Sequence, residues 1–300
     1  MMHDNSEPSQ SSSAVEDVEK PHDSYSKALR LPDGATPHIA IWGTPQSGKS
    51  VFLAMLYASL SNTMRSETPI EVEWTMRATP AADDWVESIY KKLEVQGIFP
   101  PATGLGDHYF PVFTVSDKKT DARLFTFTFI DAPGEMYANP DKYVTDQKIN
   151  VHPYDYLAKC DGLLLLVDPI EAIEGNFNQT YTALESMFRS LSHRTGGGRI
   201  PLSMALCITK CDDIRCRSAF DNPRAFAKNH FPQFVGLLPT YVAEDSYEWF
   251  ACSAIGYEKN KSANIIRRWN GEWGILDLNK LKSHYIVDAL MWLQANSTTK

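Results

Sequence analysis

The sequence predicts an α/β fold with a mostly parallel sheet and one antiparallel hairpin strand. Three observations carry that expectation. Strand-sized apolar runs alternate with stretches of helical periodicity beyond residue 37, and one such run meets a glycine-bearing loop and then a helical pattern in "PHIAIWGTPQSGKSVFLAML". Two further apolar runs flank the short polar turn "SDKKTDA".

In chain order, His38 to Trp42 reads as a short buried strand and Val51 to Leu60 as a helix. Ile70 to Met76 predicts a strand, Asp83 to Leu93 a helix, and "GIFPPATGLGD" a loop from Gly97 to Asp107. Tyr109 to Val115 and Leu124 to Ile130 pair antiparallel across their turn; Phe125, Phe127 and Phe129 alternate with threonines, a period of two. Leu163 to Val167 and Met204 to Ile208 are buried strands separated by a long insertion, with a helix near Tyr181 to Leu191 and a loop at Gly196 to Gly198. Tyr247 to Ser253 is a further strand, and Leu278 to Leu293 an amphipathic closing helix. Residues 1–33, rich in Ser, Asp, Glu and Pro, predict a disordered acidic tail. Residues 34–296 are expected to form a single domain with insertions near 66–108 and 170–200.

The 300 residues allow ample core, and a net charge of −8 gives bulk electrostatics that do not favour a nucleic-acid surface. No apolar run approaches the ~20 residues of a membrane span, and the N-terminus lacks a signal-peptide pattern. Five cysteines, an odd number without regular pairing, predict a reducing, cytoplasmic setting. Cys207, Cys211 and Cys216 lack the paired spacing of a zinc site and read as thiols.

The stretch Gly43-Thr44-Pro45-Gln46-Ser47-Gly48-Lys49-Ser50 fits G-x-x-x-x-G-K-[ST]. Its glycines let successive N–H groups face one anion, helped by the positive helix end on which Val51 follows. Lys49 would reach the β- and γ-phosphates, and the Ser50 hydroxyl would ligate Mg²⁺. In "FIDAPGE", Asp131 follows an apolar strand and would hold Mg²⁺ through water; Gly134 would offer its N–H to the γ-phosphate. In "ALCITKCDD", Thr209, Lys210 and Asp212 end a buried strand. A carboxylate there accepts both guanine N1–H and the exocyclic amine, a donor pair that adenine lacks, while Lys210 lays its stem over the purine. A backbone N–H in "CSA", at Ser253 or Ala254, would meet the guanine O6.

GTPQSGKS, DAPG, TKCD and CSA, in that order and with the hairpin before DAPG, resemble the Ras-like, translation-factor class of P-loop GTPases over about Pro37 to Leu293. The long first spacer and the D-x-P-G-E segment look like bacterial double-GTPase proteins. The resemblance implies a P-loop NTPase three-layer sandwich, Mg²⁺-dependent hydrolysis of GTP to GDP and phosphate as a molecular switch, and a protein effector or second GTPase domain as partner. It also implies a threonine for Mg²⁺ and γ-phosphate, with Thr103 in "PPATG" the candidate and Thr79 the second. Two departures stand out. Lys49 and Asp131 lie far apart, and Glu135 occupies the place where many relatives carry a glutamine that orients water. A carboxylate cannot donate a hydrogen bond and repels phosphate oxygens, so hydrolysis is expected to be slow or partner-assisted. Lys49, Thr103 and Glu135 are the catalytic candidates. Arg194 reads as a surface arginine or, less simply, an internal arginine finger. A non-hydrolysing GTP-binding sensor or scaffold is the alternative function. An ATPase using Asp168, at the end of "LLLLVD", is disfavoured by TKCD.

Overall fold

A computed structural model describes residues 36–43, 46–61, 73–100, 110–130, 141, 145, 151–257, 263–268 and 271–297. The expected N-terminal tail lies outside them. Strands β1 (His38–Gly43), β2 (Trp74–Ala78), β3 (Val112–Asp117), β4 (Arg123–Phe129), β5 (Gly162–Val167), β6 (Ser203–Ile208) and β7 (Tyr247–Ala251) form one sheet in the order β2-β3-β4-β1-β5-β6-β7. β1 pairs parallel with β4 and β5, and β6 pairs parallel with β5 and β7. β3 is antiparallel to β4, as the hairpin predicts, and is also antiparallel to β2. β8 (Ile265–Arg267) and β9 (Trp273–Ile275) make a separate antiparallel pair.

Strands covered on both faces need apolar residues at every position, and their alternation divides two cores. Ile39, Ile41, Leu164, Leu166 and the phenylalanines of β4 enter one core. There they meet α1 (Lys49–Leu60), α2 (Pro80–Lys91) and α9 (Asp288–Asn296). Ala40, Trp42, Leu163, Leu165 and Val167 enter the other, against α3 (Pro153–Leu157), α5 (Asn178–Arg194), α7 (Pro223–His230) and α8 (Pro232–Tyr241). The result is a helix–sheet–helix sandwich. Between α3 and α5, α4 (Pro169–Ile173) follows β5; α6 (Ser218–Asp221) precedes α7.

Several expected elements shift. β2 spans Trp74–Ala78, later than the predicted strand, whose residues 70–72 lie outside the described residues. α2 starts at Pro80, which occupies its first turn, and passes into a π turn over Lys92–Gln96 that Gly97 ends at φ 61°. β7 stops at Ala251, two residues early, because Ser253 turns to exchange backbone hydrogen bonds with His284. The closing helix is the largest correction. Only Asp288–Asn296 is helical; Leu278–Lys280 is a 3-10 turn, His284 bridges Ser253, and Tyr285 has φ 55°. Leu281 still reaches the core, but from extended chain, and Ile286 and Val287 do so from the turn that leads into α9. The 170–200 span contains most of α4 and all of α5, which connect the neighbouring strands β5 and β6.

Candidate functional site

Because β1, β4, β5, β6 and β7 run the same way, their carboxyl ends share one edge of the sheet. In the sequence the four motifs follow β1, β4, β6 and β7, and that edge is where open α/β sheets bind ligands.

After β1 the chain curls tightly into α1. Gln46 has φ 62° and Gly48 has φ 79°, and Gly48 O accepts the Phe52 N–H at 2.8 Å. Gly43 has no room for a side chain: a Cβ there would lie 2.6 Å from Ser47 Oγ and 3.0 Å from both Leu166 Cβ and Lys49 Cγ. Ser47 is fully buried, and its hydroxyl has no hydrogen-bond partner. Lys49 is buried, Ser50 and Val51 are half-buried, and no acidic residue stands in the first turn of α1. A helix start with its N–H groups free of acidic side chains, a buried lysine and an unsatisfied hydroxyl suits an anion. Thr44 and Pro45 lie outside the described residues.

Beside it, Ile130 N–H donates to Ile41 O at 3.1 Å, so the chain is still in the sheet one residue before Asp131. Asp131, Gly134, Glu135 and Thr103 themselves lie outside the described residues. Thr79 follows β2 at the sheet margin, separated from β1 by β3 and β4, and is exposed at the start of α2. The geometry does not bring it to the phosphate loop.

The TKCD and CSA segments do come together. Thr209 N–H and hydroxyl both donate to Val167 O, at 3.0 and 3.1 Å. Cys211 N–H donates to Cys252 O at 3.1 Å. Ser253 Oγ donates to Asp212 Oδ1 at 2.9 Å and accepts the Gly256 N–H at 2.9 Å. Gly256 is needed there, since a Cβ would lie 2.3 Å from Lys282 O. Burial pushes the Asp212 carboxyl up to about 6, with the Ser253 hydroxyl pulling the other way. The Ser253 N–H, expected from the sequence to face a base, instead donates to His284 O at 3.1 Å, and it is the hydroxyl that faces Asp212. Nothing in the local pattern signals the Ser253–Asp212 bond, because its partners are 41 residues apart.

Asp168 is not a free metal ligand. Its carboxylate caps α4 through the Ile170 N–H at 2.9 Å and accepts Lys210 Nζ at 2.6 Å. Arg194 is not in a loop but in the last turn of α5. It is bonded to Asp155 at 2.6 Å, and α5 runs back from the carboxyl edge, so Arg194 lies at the opposite end from the phosphate loop. Among the described residues, no cluster of three or more His, Cys, Asp or Glu side chains is placed to hold a metal. All five cysteines are buried and free. No described helix is long and apolar enough to cross a membrane.

A mostly parallel sheet with a phosphate-loop sequence after its central strand and the TKCD and CSA motifs brought together after strands two and three places away defines a P-loop GTPase. The chain belongs to the double-GTPase 2 family, whose pattern matches residues 38–246. A search of the curated proteins finds no match. Among solved structures the chain is similar to the Arl6 BBS3 small GTPase from Trypanosoma brucei with a bound nucleotide analogue, at 12% identity and TM-score 0.38, covering 87% of this chain and 97% of that one. It is also similar to the GTP-bound Ski7 GTPase-like domain of S. cerevisiae, at 14% identity and TM-score 0.43, covering 87% and 50%. A third similarity is to elongation factor SelB from Methanococcus maripaludis, at 13% identity and TM-score 0.33, covering 75% and 31%.

Proposed function

We propose that the chain binds GTP and hydrolyses it to GDP and phosphate as a Mg²⁺-dependent molecular switch. The observation that carries this reading is the Ser253–Asp212 hydrogen bond, which holds a buried carboxylate at the same sheet edge as the phosphate loop. Asp212 accepts the two guanine donors, Lys210 supports one face of the base, and the Ala254 N–H is left for the O6. Thr209 fixes this loop to the end of β5.

On the phosphate side, Gly43 allows the curl, and the N–H groups of the loop and of Gly48, Lys49 and Ser50 converge on the phosphates. The buried Ser47 hydroxyl gains an acceptor there, which removes the cost of leaving it unpaired. Lys49 meets the β- and γ-phosphates. Mg²⁺ takes oxygen ligands and shares them with phosphates, and the Ser50 hydroxyl on the first turn of α1 fits that donor set. When bound, the ion neutralises charge building on the phosphate oxygens. By sequence position, Thr103 and Asp131 complete its surroundings and Gly134 contacts the γ-phosphate. Glu135 stands near the attacking water as an acceptor alone, which makes turnover slow without a partner. That partner is a protein effector or a second GTPase domain. Five free cysteines favour a cytoplasmic setting.

The test is base exchange. Asp212→Asn places an amide donor against the guanine donors and should weaken GTP by about 2–3 kcal/mol, roughly 30- to 150-fold. Xanthine, with a carbonyl in place of the exocyclic amine, should then be preferred. Unchanged GTP preference in competition binding refutes the base site. Multiple-turnover phosphate release, lost in Lys49→Ala, separates hydrolysis from binding alone.

A further inference from the structure

Asp168 and Lys210 form a contact that the reading above does not use. Asp168 is 2% exposed, and both carboxylate oxygens are engaged: Oδ1 caps α4 and Oδ2 takes the Lys210 ammonium at 2.6 Å. Lys210 has φ 54°, a backbone region that residues with a Cβ seldom occupy. It is held there from both sides, by Thr209 bonded to Val167 and by Cys211 bonded to Cys252. The clamp directs the Lys210 side chain across the end of β5 to Asp168, while about a third of that side chain (36%) stays exposed beside Asp212. A lysine with no fixed partner samples many rotamers and keeps its ammonium in water. Anchored at both ends, its four-carbon stem becomes a fixed apolar surface.

We infer that Asp168 is a positioning residue for guanine: it holds the Lys210 ammonium so that the stem lies as a ready platform for one face of the base. This rests on the GTP-binding reading. Its content beyond that reading is that a carboxylate with no contact to the nucleotide sets part of the affinity, and does so through Lys210.

The experiment is a double-mutant cycle on the full chain, with GDP binding measured by calorimetry. Asp168→Asn keeps an oxygen to cap Ile170 but loses the charge that anchors the ammonium. Lys210→Gln removes the ammonium yet still donates an amide hydrogen bond to Asp168, so the buried carboxylate is not stranded. Asp168→Asn should weaken GDP about tenfold in the wild-type background and less than about twofold in the Lys210→Gln background. A residue that merely supports the fold would cost the same in both. Equal losses in the two backgrounds, or no loss in the first, overturn the assignment. If Asp168→Asn does not fold, Asp168→Glu, which keeps the charge but displaces it by one methylene, is run through the same cycle with the same criterion. Wild-type protein that binds no GDP sinks the nucleotide reading and this inference together; wild-type binding with a flat cycle sinks this inference alone.

Discussion

At the residue scale, Gly43, Ser47 and Asp212 make the sharpest demands. Gly43→Ala pushes a methyl against Ser47 Oγ, Leu166 and Lys49. It should cost about 1–3 kcal/mol of stability, read as a lower midpoint in thermal unfolding, together with weaker GDP binding. Ser47→Ala should separate those two effects. It removes a buried hydroxyl that lacks a partner, so the nucleotide-free protein should be no less stable, while GDP affinity falls. Asp212 brings a pH dependence. Its carboxyl, raised by burial to about 6, takes up a proton in the free protein as pH falls through that value, yet the guanine donors need it ionised. GDP affinity should therefore fall by up to about tenfold per pH unit below 6, and the Asp212 share of that slope should vanish in Asp212→Asn. Stability moves the other way. Between the ordinary value of 3.8 and about 6 the folded state binds the extra proton, so this group favours folding more as pH drops across that window.

At the element scale, the strands were legible because burial on both faces leaves an unbroken apolar run, as in Leu163 to Val167. The hairpin was legible because Phe125, Phe127 and Phe129 mark one face. The helices between β6 and β7 were not, since proline reads first as a breaker. Pro223 and Pro232 instead occupy the opening turns of α7 and α8, and Asn222 Oδ1 caps α7 by accepting the Ala225 N–H at 2.9 Å. That cap predicts a loss of about 1 kcal/mol for Asn222→Ala, measurable by denaturant titration. The closing helix was over-read for the converse reason. Leu278, Leu281, Tyr285 and Ile286 fit a helical period, and only the distant Ser253 draws His284 into an extended bridge. The candidate site shows the same divide. Residue types and motif order were visible, whereas the bonds from Ser253 to Asp212 and from Lys210 to Asp168 join positions 41 and 42 apart.

At the scale of the whole molecule, stability should be graded outward from the sheet centre. β1, β5 and β6 have strands on both sides and are almost wholly buried, whereas Ile265, Ile266 and Arg267 of β8 are exposed. Amide hydrogen exchange should be slowest in the first three and fastest in the β8–β9 pair, through local opening; comparable protection in both would contradict this gradient. The central place of β1 also bears on how the protein is made. It is the first strand of the sheet to leave the ribosome, yet its flanking partners begin at Thr126, opposite His38, and at Gly162, opposite Ile39. At ~5–20 residues per second, roughly 6–25 seconds separate the synthesis of Ile39 from that of Gly162. Throughout that interval the nascent chain carries Ile39, Ile41 and Trp42 on a strand that has β4 at most on one side and lacks β5 on the other. A translation product arrested before β5 would therefore have its phosphate-loop sequence on a strand with one open edge and without β5 to β7, making it a substrate for chaperones and proteases and not a smaller version of the protein.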